Sequence, residues 1–169
     1  ERMAVELIGA QMADSAVLVN PGIVVSNNRF SNWKGFNTKD CLGNGDCLKR
    51  YEIAGISVVS STGAKIIGNV LDCGLNCVQP RASAGIEFSS FGKGLMQLNT
   101  VRGFEQGIWT AWGQDMVIEQ NAVFSARVGI SSTQKGYIDK LTIRANQIET
   151  AVSRPNVHGD WGVGIAPQW

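Results

Sequence analysis

One short phrase is written five times along this chain of 169 residues. It consists of a small or apolar residue, one variable position, an apolar residue, two variable positions, an asparagine, one variable position and an apolar residue. The copies occupy residues 23–30, 64–71, 94–101, 116–123 and 141–148. Repetition on this scale is typical of a solenoid, in which each repeat packs only against its neighbours.

A glycine-isoleucine pair precedes each of the last four asparagines. The distance from this glycine to the asparagine is 14 residues in three copies (55 to 69, 85 to 99, 107 to 121) and 17 in the fourth (129 to 146). Such constancy indicates that the two phrases belong to one structural unit. The shortest full repeat is 22 residues, from Gly85 to Gly107 and again from Gly107 to Gly129.

Apolar residues alternate within each phrase, which predicts strands with one buried face rather than helices. At about 3.3 Å per residue in a strand, the repeat suits three short strands joined by turns. The predicted fold is a parallel β-helix in which one repeat forms one rung. Each strand then pairs with its counterparts in the adjacent rungs, so equivalent positions stack into columns.

Stacked asparagines can bond to one another, because a side-chain amide both donates and accepts and the residue tolerates left-handed backbone. This arrangement resembles the asparagine ladder of the right-handed parallel β-helix proteins, the pectin-lyase-like superfamily. The alternative is that asparagine is simply a common turn residue. The ladder residues are Asn28, Asn69, Asn99, Asn121 and Asn146.

The resemblance covers about residues 16 to 166 and implies an all-β, right-handed, single-stranded solenoid of about five to six rungs. It does not choose a function, because the fold hosts lyases, hydrolases, epimerases, adhesins and phage tailspikes. The arginine and aspartate signatures of pectate lyases and the paired aspartates of polygalacturonases are absent from this sequence.

Length and composition favour a single domain over residues 1–169, with 44% apolar residues. A net charge of +1 without a basic run predicts no nucleic-acid partner. No apolar stretch approaches the roughly 20 residues of a membrane span, and the first residues do not resemble a signal peptide.

Both ends look truncated, which predicts a fragment of a longer chain or an oligomer that covers the ends. Residues 1–15 are expected to form a cap or an incomplete rung, and residues 16–166 the rungs. The segment from Val163 to Ile165 resembles the opening strand of a further rung. Alternatively, Trp161 and Trp169 fold over the end and cap it.

Insertions gather on one edge of the predicted solenoid. The interval from each ladder asparagine to the next glycine-isoleucine pair is 27, 16, 8 and 8 residues, and 18 if Gly164-Ile165 is counted. The excess lies in Ser31 to Ala54, Asp72 to Ala84 and Glu149 to Val163. Insertions on one face of a solenoid usually mark its binding face.

Beside that edge, the outward positions of the first strand are Ser57, Glu87, Trp109 and Ser131, which should form one column. A solvent-facing Trp109 would stack on the apolar face of a sugar ring. Alternatively, the segments 72–84 or 149–162 cover it as a small satellite core.

Cleavage of a polysaccharide stacked on Trp109 would need carboxylates or a base beside that residue. Glycoside hydrolysis uses two carboxylates about 5 to 10 Å apart, and Glu87 with Glu105 is the preferred pair. Lyase or epimerase chemistry would need a base and a cation to neutralise the substrate carboxylate. Candidate substrate-binding residues are Trp109, Ser131, Arg81, Arg102, Arg127 and His158, the last being either a base or merely solvated.

A second outward column is expected on the second strand, made of Ser26, Ile67, Gln97, Glu119 and Arg144. Glu119 and Arg144 should form a surface ion pair there, worth under about 1 kcal/mol. Ile67, Leu95 and Val117 are expected to form an apolar stripe, which motivates a homotrimer.

Four cysteines lie in the two longest early insertions, at Cys41, Cys47, Cys73 and Cys77. Two disulfides of an exported protein fit their number, with three connectivities open, and free thiols are a further alternative. Zinc fits poorly because the spacings miss the usual Cys-x2-Cys form. Asp40, Asn44, Gly45 and Asp46 give a weak calcium signal, so no cofactor or metal is predicted.

The favoured function is therefore a carbohydrate-active domain that binds an extended polysaccharide between the first-strand face and the long insertions. If the domain is an enzyme, it is a polysaccharide lyase or glycoside hydrolase that cleaves this polymer. The alternative is a non-catalytic fibre, adhesin or tailspike segment, joined by further rungs of the parent chain or by trimerisation. Either function implies an extracellular or virion-surface location.

Overall fold

A computed structural model describes residues 5–8, 20–31, 53–59, 61–73, 83–89, 93–110, 113–125, 128–132, 138–150 and 163–166. These residues form strands and turns, and no helix occurs among them. The strands, numbered in chain order, are β1 (Val5–Ile8), β2 (Asn20–Pro21), β3 (Val24–Ser26), β4 (Arg29–Ser31), β5 (Ile53–Val59), β6 (Ser61–Thr62), β7 (Ala64–Ile67), β8 (Val70–Asp72), β9 (Ser83–Ser89), β10 (Gly94–Gln97), β11 (Thr100–Arg102), β12 (Gln106–Thr110), β13 (Gly113–Glu119), β14 (Ala122–Ser125), β15 (Val128–Ser132), β16 (Ile138–Arg144), β17 (Gln147–Thr150) and β18 (Val163–Ala166).

Three parallel sheets contain almost all of these strands. The first sheet has the order β1-β5-β9-β12-β15-β18, the second β16-β13-β10-β7-β3 and the third β17-β14-β11-β8-β4, while β2 and β6 form a separate short pair. From β3 onward, the chain visits the sheets in turn and returns to each one strand further along. The described chain is therefore all-β, with the stacked parallel sheets that a parallel β-helix requires.

The core lies between the three sheets and is built from the apolar positions of the repeats. Ile86 pairs in register with Ile56 and Ile108, and the second and third sheets contribute Met96 and Val101 at the same level. All of these side chains are fully buried. Phe104, in the turn from the third sheet to the first, is buried as well. Burial of alternate residues on the second and third sheets accounts for the period-2 pattern there. On the first sheet consecutive residues are buried, as in Val128–Ser132.

The glycine of each glycine-isoleucine pair lies where the first sheet approaches the third. A Cβ added at Gly85 would overlap the Val101 side chain and would lie 2.8 Å from the Gly107 carbonyl oxygen. The backbone here is not left-handed, so the requirement for glycine is one of space. The same overlap would occur at Gly55 with Leu71, at Gly107 with Val123 and at Gly129 with Ile148.

The five repeated asparagines are joined by hydrogen bonds, and we call them the amide column. Each Nδ2 donates to the Oδ1 of the next asparagine, at 3.0 Å for the first three pairs and 2.9 Å for the last. Each of these Oδ1 atoms also accepts the backbone N–H of the preceding asparagine. Because Asn69, Asn99 and Asn121 are at most 1% exposed, these bonds hold amides that water cannot reach.

The left-handed residue of this turn is the one before each asparagine. Leu98 has a φ of 57° and Ala145 a φ of 53°. The same holds for Asn27, Gly68 and Gln120, with φ of 56°, 67° and 55°. The expectation that asparagine itself takes this conformation is therefore wrong. The asparagine is needed for its amide, and its neighbour makes the turn.

The outward column of the second sheet agrees with the sequence. Gln97 pairs in register with Ile67 and Glu119, and Glu119 pairs with Arg144. The expected ion pair is confirmed, with Arg144 Nη2 2.6 Å from Glu119 Oε2. Gln97 Nε2 donates to the other carboxylate oxygen at 2.9 Å.

The predicted apolar stripe of Ile67, Leu95 and Val117 is wrong as a single stripe. Leu95 pairs with Lys65 and Val117, whereas Ile67 belongs to the neighbouring column beside Gln97. The reason is the period of two, which places residues 65 and 67 in different columns of one face. Only Leu95 and Val117 are adjacent, and both are half-buried.

Thr110 is a polar residue at an inward position of the first sheet. It pairs in register with Phe88 and Ser132 and is fully buried. Its Oγ1 finds no hydrogen-bond partner in the part of the chain that the structure describes. A buried hydroxyl without a partner destabilises the folded state.

We expect Thr110→Val to raise the free energy of unfolding by about 1 kcal/mol, because valine has the same shape and removes the unpaired hydroxyl. Denaturant titration would measure the change. Thr100→Val is the matched control, since Thr100 is half-buried on the outward side of the third sheet and should change stability little. A loss of stability in Thr110→Val would show that the hydroxyl is bonded.

Candidate functional site

The candidate site lies on the outward side of the first sheet. Ser57 pairs with Glu87, Glu87 with Trp109, and Trp109 with Ser131, so β5, β9, β12 and β15 each contribute one side chain. We call these four residues the Trp109 column. Adjacent strands are about 4.8 Å apart, so the column spans roughly 14 Å along the solenoid axis.

Burial differs sharply within the Trp109 column. Ser57, Glu87 and Ser131 are 2%, 9% and 8% exposed. Trp109 is half-buried, so part of its ring meets solvent. The four residues form one column, but Ser57, Glu87 and Ser131 are largely withdrawn from water and Trp109 is only partly exposed.

Glu87 is hydrogen-bonded to the strand on one side. The Ser57 hydroxyl donates to Glu87 Oε2 at 3.3 Å. Ser57 lies on β5, on the opposite side of β9 from β12. The carboxylate is therefore bonded to the strand on the side away from Trp109.

Glu105 is distant from Glu87 in the register. It immediately precedes Gln106, which pairs with Ala84, three residues before Glu87. The two glutamates are thus separated by about 13 Å along the strand direction and by one strand spacing. These are separations of Cα atoms, and the pairing of Glu87 with Glu105, which needs carboxyl groups about 5 to 10 Å apart, stays a prediction.

Arg102 lies on a different sheet from Trp109. It ends β11 in the third sheet, where its Cζ is 4.8 Å from the centre of the Phe124 ring. Arg102 pairs in register with Phe124 on one side and Asp72 on the other, and Phe124 in turn pairs with Glu149. Arg102 is therefore stacked on the outer face of the third sheet and does not border the Trp109 column. Arg81, Arg127 and His158 lie outside the described residues.

Gln106 belongs to the site although sequence reasoning missed it. The Ser131 hydroxyl donates to Gln106 Oε1 at 2.9 Å. Gln106 lies on β12 three residues before Trp109, so its amide reaches over the outward face next to the indole. The only signal in the sequence is its place immediately before a repeated glycine, and that does not reveal the reach of its side chain.

The geometry thus offers a half-exposed indole between a buried carboxylate and an amide-hydroxyl pair. No family model, curated protein or solved structure matches this chain. Its function must therefore follow from the residues themselves.

Cys73, the one cysteine among the described residues, lies apart from the Trp109 column. Cys73 directly follows β8, is fully buried and is disulfide-bonded. Cys41, Cys47 and Cys77, and the weak calcium residues Asp40, Asn44, Gly45 and Asp46, fall outside the described residues. Within the described segments, no three His, Cys, Asp or Glu side chains gather as metal ligands would. Those segments also contain no helix of the length and hydropathy needed to cross a bilayer.

Proposed function

We propose that this chain is a carbohydrate-binding segment of a right-handed parallel β-helix of the pectin-lyase-like type, about five to six rungs long. The amide column supports the fold assignment, because hydrogen-bonded asparagines at equivalent turns are the feature on which the resemblance rests. The ligand is an extended polysaccharide that runs along the first sheet beside the long insertions.

The observation that carries this function is Trp109. A half-exposed indole binds the apolar face of a sugar ring, while polar side chains beside it bond the hydroxyl groups at the ring edge. Glu87 on β9 and the pair of Ser131 and Gln106 are such side chains. In the part of the chain that the structure describes, one aromatic platform with these polar partners suits recognition of one sugar unit within a polymer.

The described geometry supports binding better than cleavage. Glu87 is a buried carboxylate bonded to the Ser57 hydroxyl, and about 13 Å along the strand direction separates its Cα from that of Glu105. If the domain is a glycoside hydrolase, Glu87 and Glu105 are its carboxylate pair. If it is a polysaccharide lyase, Arg81 or Arg127 neutralises the substrate carboxylate, and Glu87 or His158 is the base.

A non-catalytic fibre, adhesin or tailspike segment is the second candidate. It is favoured by the apolar neighbours Leu95 and Val117 and by Val24, which is 58% exposed, all on the outer face of the second sheet. Burial of this face in a homotrimer would stabilise such a fibre. Light scattering at high protein concentration tests it, because a monomer would exclude the trimer.

An extracellular or virion-surface location fits the disulfide at Cys73, since structural disulfides persist in oxidising environments.

The experiment that tests the function is a binding screen on neutral, N-acetylated and uronate oligosaccharides. Trp109→Ala should weaken the best ligand about tenfold or more, because the stacking surface is lost. Phe124→Ala is the matched control: it removes an aromatic ring from the third sheet and should leave affinity unchanged. Equal binding by the wild type and Trp109→Ala would contradict the proposal.

Cleavage is tested on the same ligands by measuring new reducing ends. If the wild type releases products, Glu87→Gln should abolish that release while binding persists. A Glu87→Gln protein that retained full depolymerising activity would remove Glu87 from the mechanism.

A further inference from the structure

Gln106 is placed to contact whatever stacks on Trp109. Both residues lie on β12, and Ser131, the register partner of Trp109 on β15, bonds the Gln106 amide. Because this bond reaches across to the neighbouring strand, it holds the amide over the outward face. Gln106 and Trp109 therefore border the same patch of surface.

The Ser131 bond also determines which atom of the Gln106 amide is left to hydrogen-bond a ligand. Since Oε1 accepts the Ser131 hydroxyl, Nε2 retains two N–H donors. Across the described ranges, no protein group accepts a hydrogen bond from them. The side chain is half-buried and its partner Ser131 is 8% exposed, so these donors are held in a fixed direction at the edge of the site.

We infer that Gln106 determines specificity in the proposed glycan site by donating from Nε2 to an acceptor oxygen of the sugar stacked on Trp109. Ser131 is its positioning residue, because its hydroxyl orients the amide. This inference rests on the proposed function and adds the chemistry that the ligand must present. A sugar that directs an acceptor-only oxygen toward β12, such as an N-acetyl carbonyl or a uronate carboxylate, is accepted, and a sugar that places only apolar hydrogens there is rejected.

Gln106→Glu isolates the donor. A carboxylate in the same position still accepts the Ser131 hydroxyl, so the local structure is retained, but it cannot donate. We expect this variant to bind the best oligosaccharide of the panel about tenfold more weakly than the wild type does. The reason is that the new carboxylate and the acceptor oxygen of the sugar would face each other with no hydrogen between them. Gln106→Ala, which adds no charge, should weaken binding in the same direction.

Two further variants separate this inference from its alternatives. Gln114→Glu makes the same charge change at an exposed position of β13 and should leave affinity within about twofold. Ser131→Ala should weaken binding less than Gln106→Glu, because the donor remains but is no longer held. Thermal unfolding of each variant confirms that it is folded.

The outcomes distinguish the two claims. If Trp109→Ala weakens binding but both Gln106 variants bind as the wild type does, the inference about Gln106 is wrong and the glycan site remains. If Trp109→Ala also leaves binding unchanged, the proposed function itself fails.

Discussion

Replacing Asn99 by leucine is expected to lower the free energy of unfolding by about 4 kcal/mol, since each buried polar group left without a partner costs about 1 to 3 kcal/mol. Asn99 Oδ1 accepts both the backbone N–H and Nδ2 of Asn69, each at 3.0 Å. Its own Nδ2 donates to Asn121 Oδ1 at 3.0 Å and to the Ile66 carbonyl at 2.8 Å. Leucine fills the same space but supplies none of these bonds.

The end of the amide column provides the matched control. Asn28 is exposed, and its Nδ2 donates to Asn69 Oδ1 and to its own turn at the Ser26 carbonyl. Because water can replace these bonds, Asn28→Leu should cost only about 1 kcal/mol. Chemical denaturation monitored by circular dichroism compares the two variants. An equal cost at both positions would mean that burial within the column adds nothing.

Gly85→Ala is expected to destabilise the fold by about 3 kcal/mol, the upper end of what added bulk costs in a packed core. The new methyl group would overlap Val101, lie 2.8 Å from the Gly107 carbonyl oxygen and lie 3.3 Å from Phe104 Cδ2. The carbonyl belongs to the neighbouring strand, so relief requires the first sheet itself to separate. A loss of this size is a large part of the 5 to 15 kcal/mol typical of a whole domain.

Gly164→Ala is the control for Gly85→Ala. Gly164 lies on β18 at the end of the same glycine column, where the only described atom that an added Cβ would meet is Ile148 Cγ2, at an ordinary 3.8 Å. This variant should change stability by less than about 1 kcal/mol. The double variant Gly85→Ala, Val101→Ala should lose less stability than the sum of the two single variants, because Val101→Ala removes the side-chain overlap but not the carbonyl contact. Equal stability of the Gly85 and Gly164 variants would contradict this account.

Much of the fold could be predicted because the repeats carry their own alignment. Once Asn69, Asn99 and Asn121 are taken as equivalent, each strand of the repeats has a defined partner, and the observed register follows that alignment. The need for glycine before each isoleucine could not be predicted. It arises from contact between the first and third sheets, and the interval between Gly85 and Val101 gives no measure of how closely those sheets approach.

The candidate site could be predicted only in part. Alternation within a strand was enough to align Glu87, Trp109 and Ser131. Their burial was not predictable, because it depends on what packs over the outer face. The contact of Gln106 with Ser131 also escaped prediction, since spacing places Cα atoms and does not specify how far a flexible side chain extends along a neighbouring strand.

The regular register has a consequence for how such a chain can change length. Ile86 pairs with Ile108, Met96 with Ile118 and Val101 with Val123, each 22 residues apart. Excision of one such unit would set Asn121 against Asn69 and leave the pairing intact, and duplication would extend the stack. Insertion or deletion of a single residue within a strand would instead shift the register and move its buried side chains to the solvent face. Twenty-two residues are therefore the module by which this molecule could be shortened or lengthened, whether by recombination or by design.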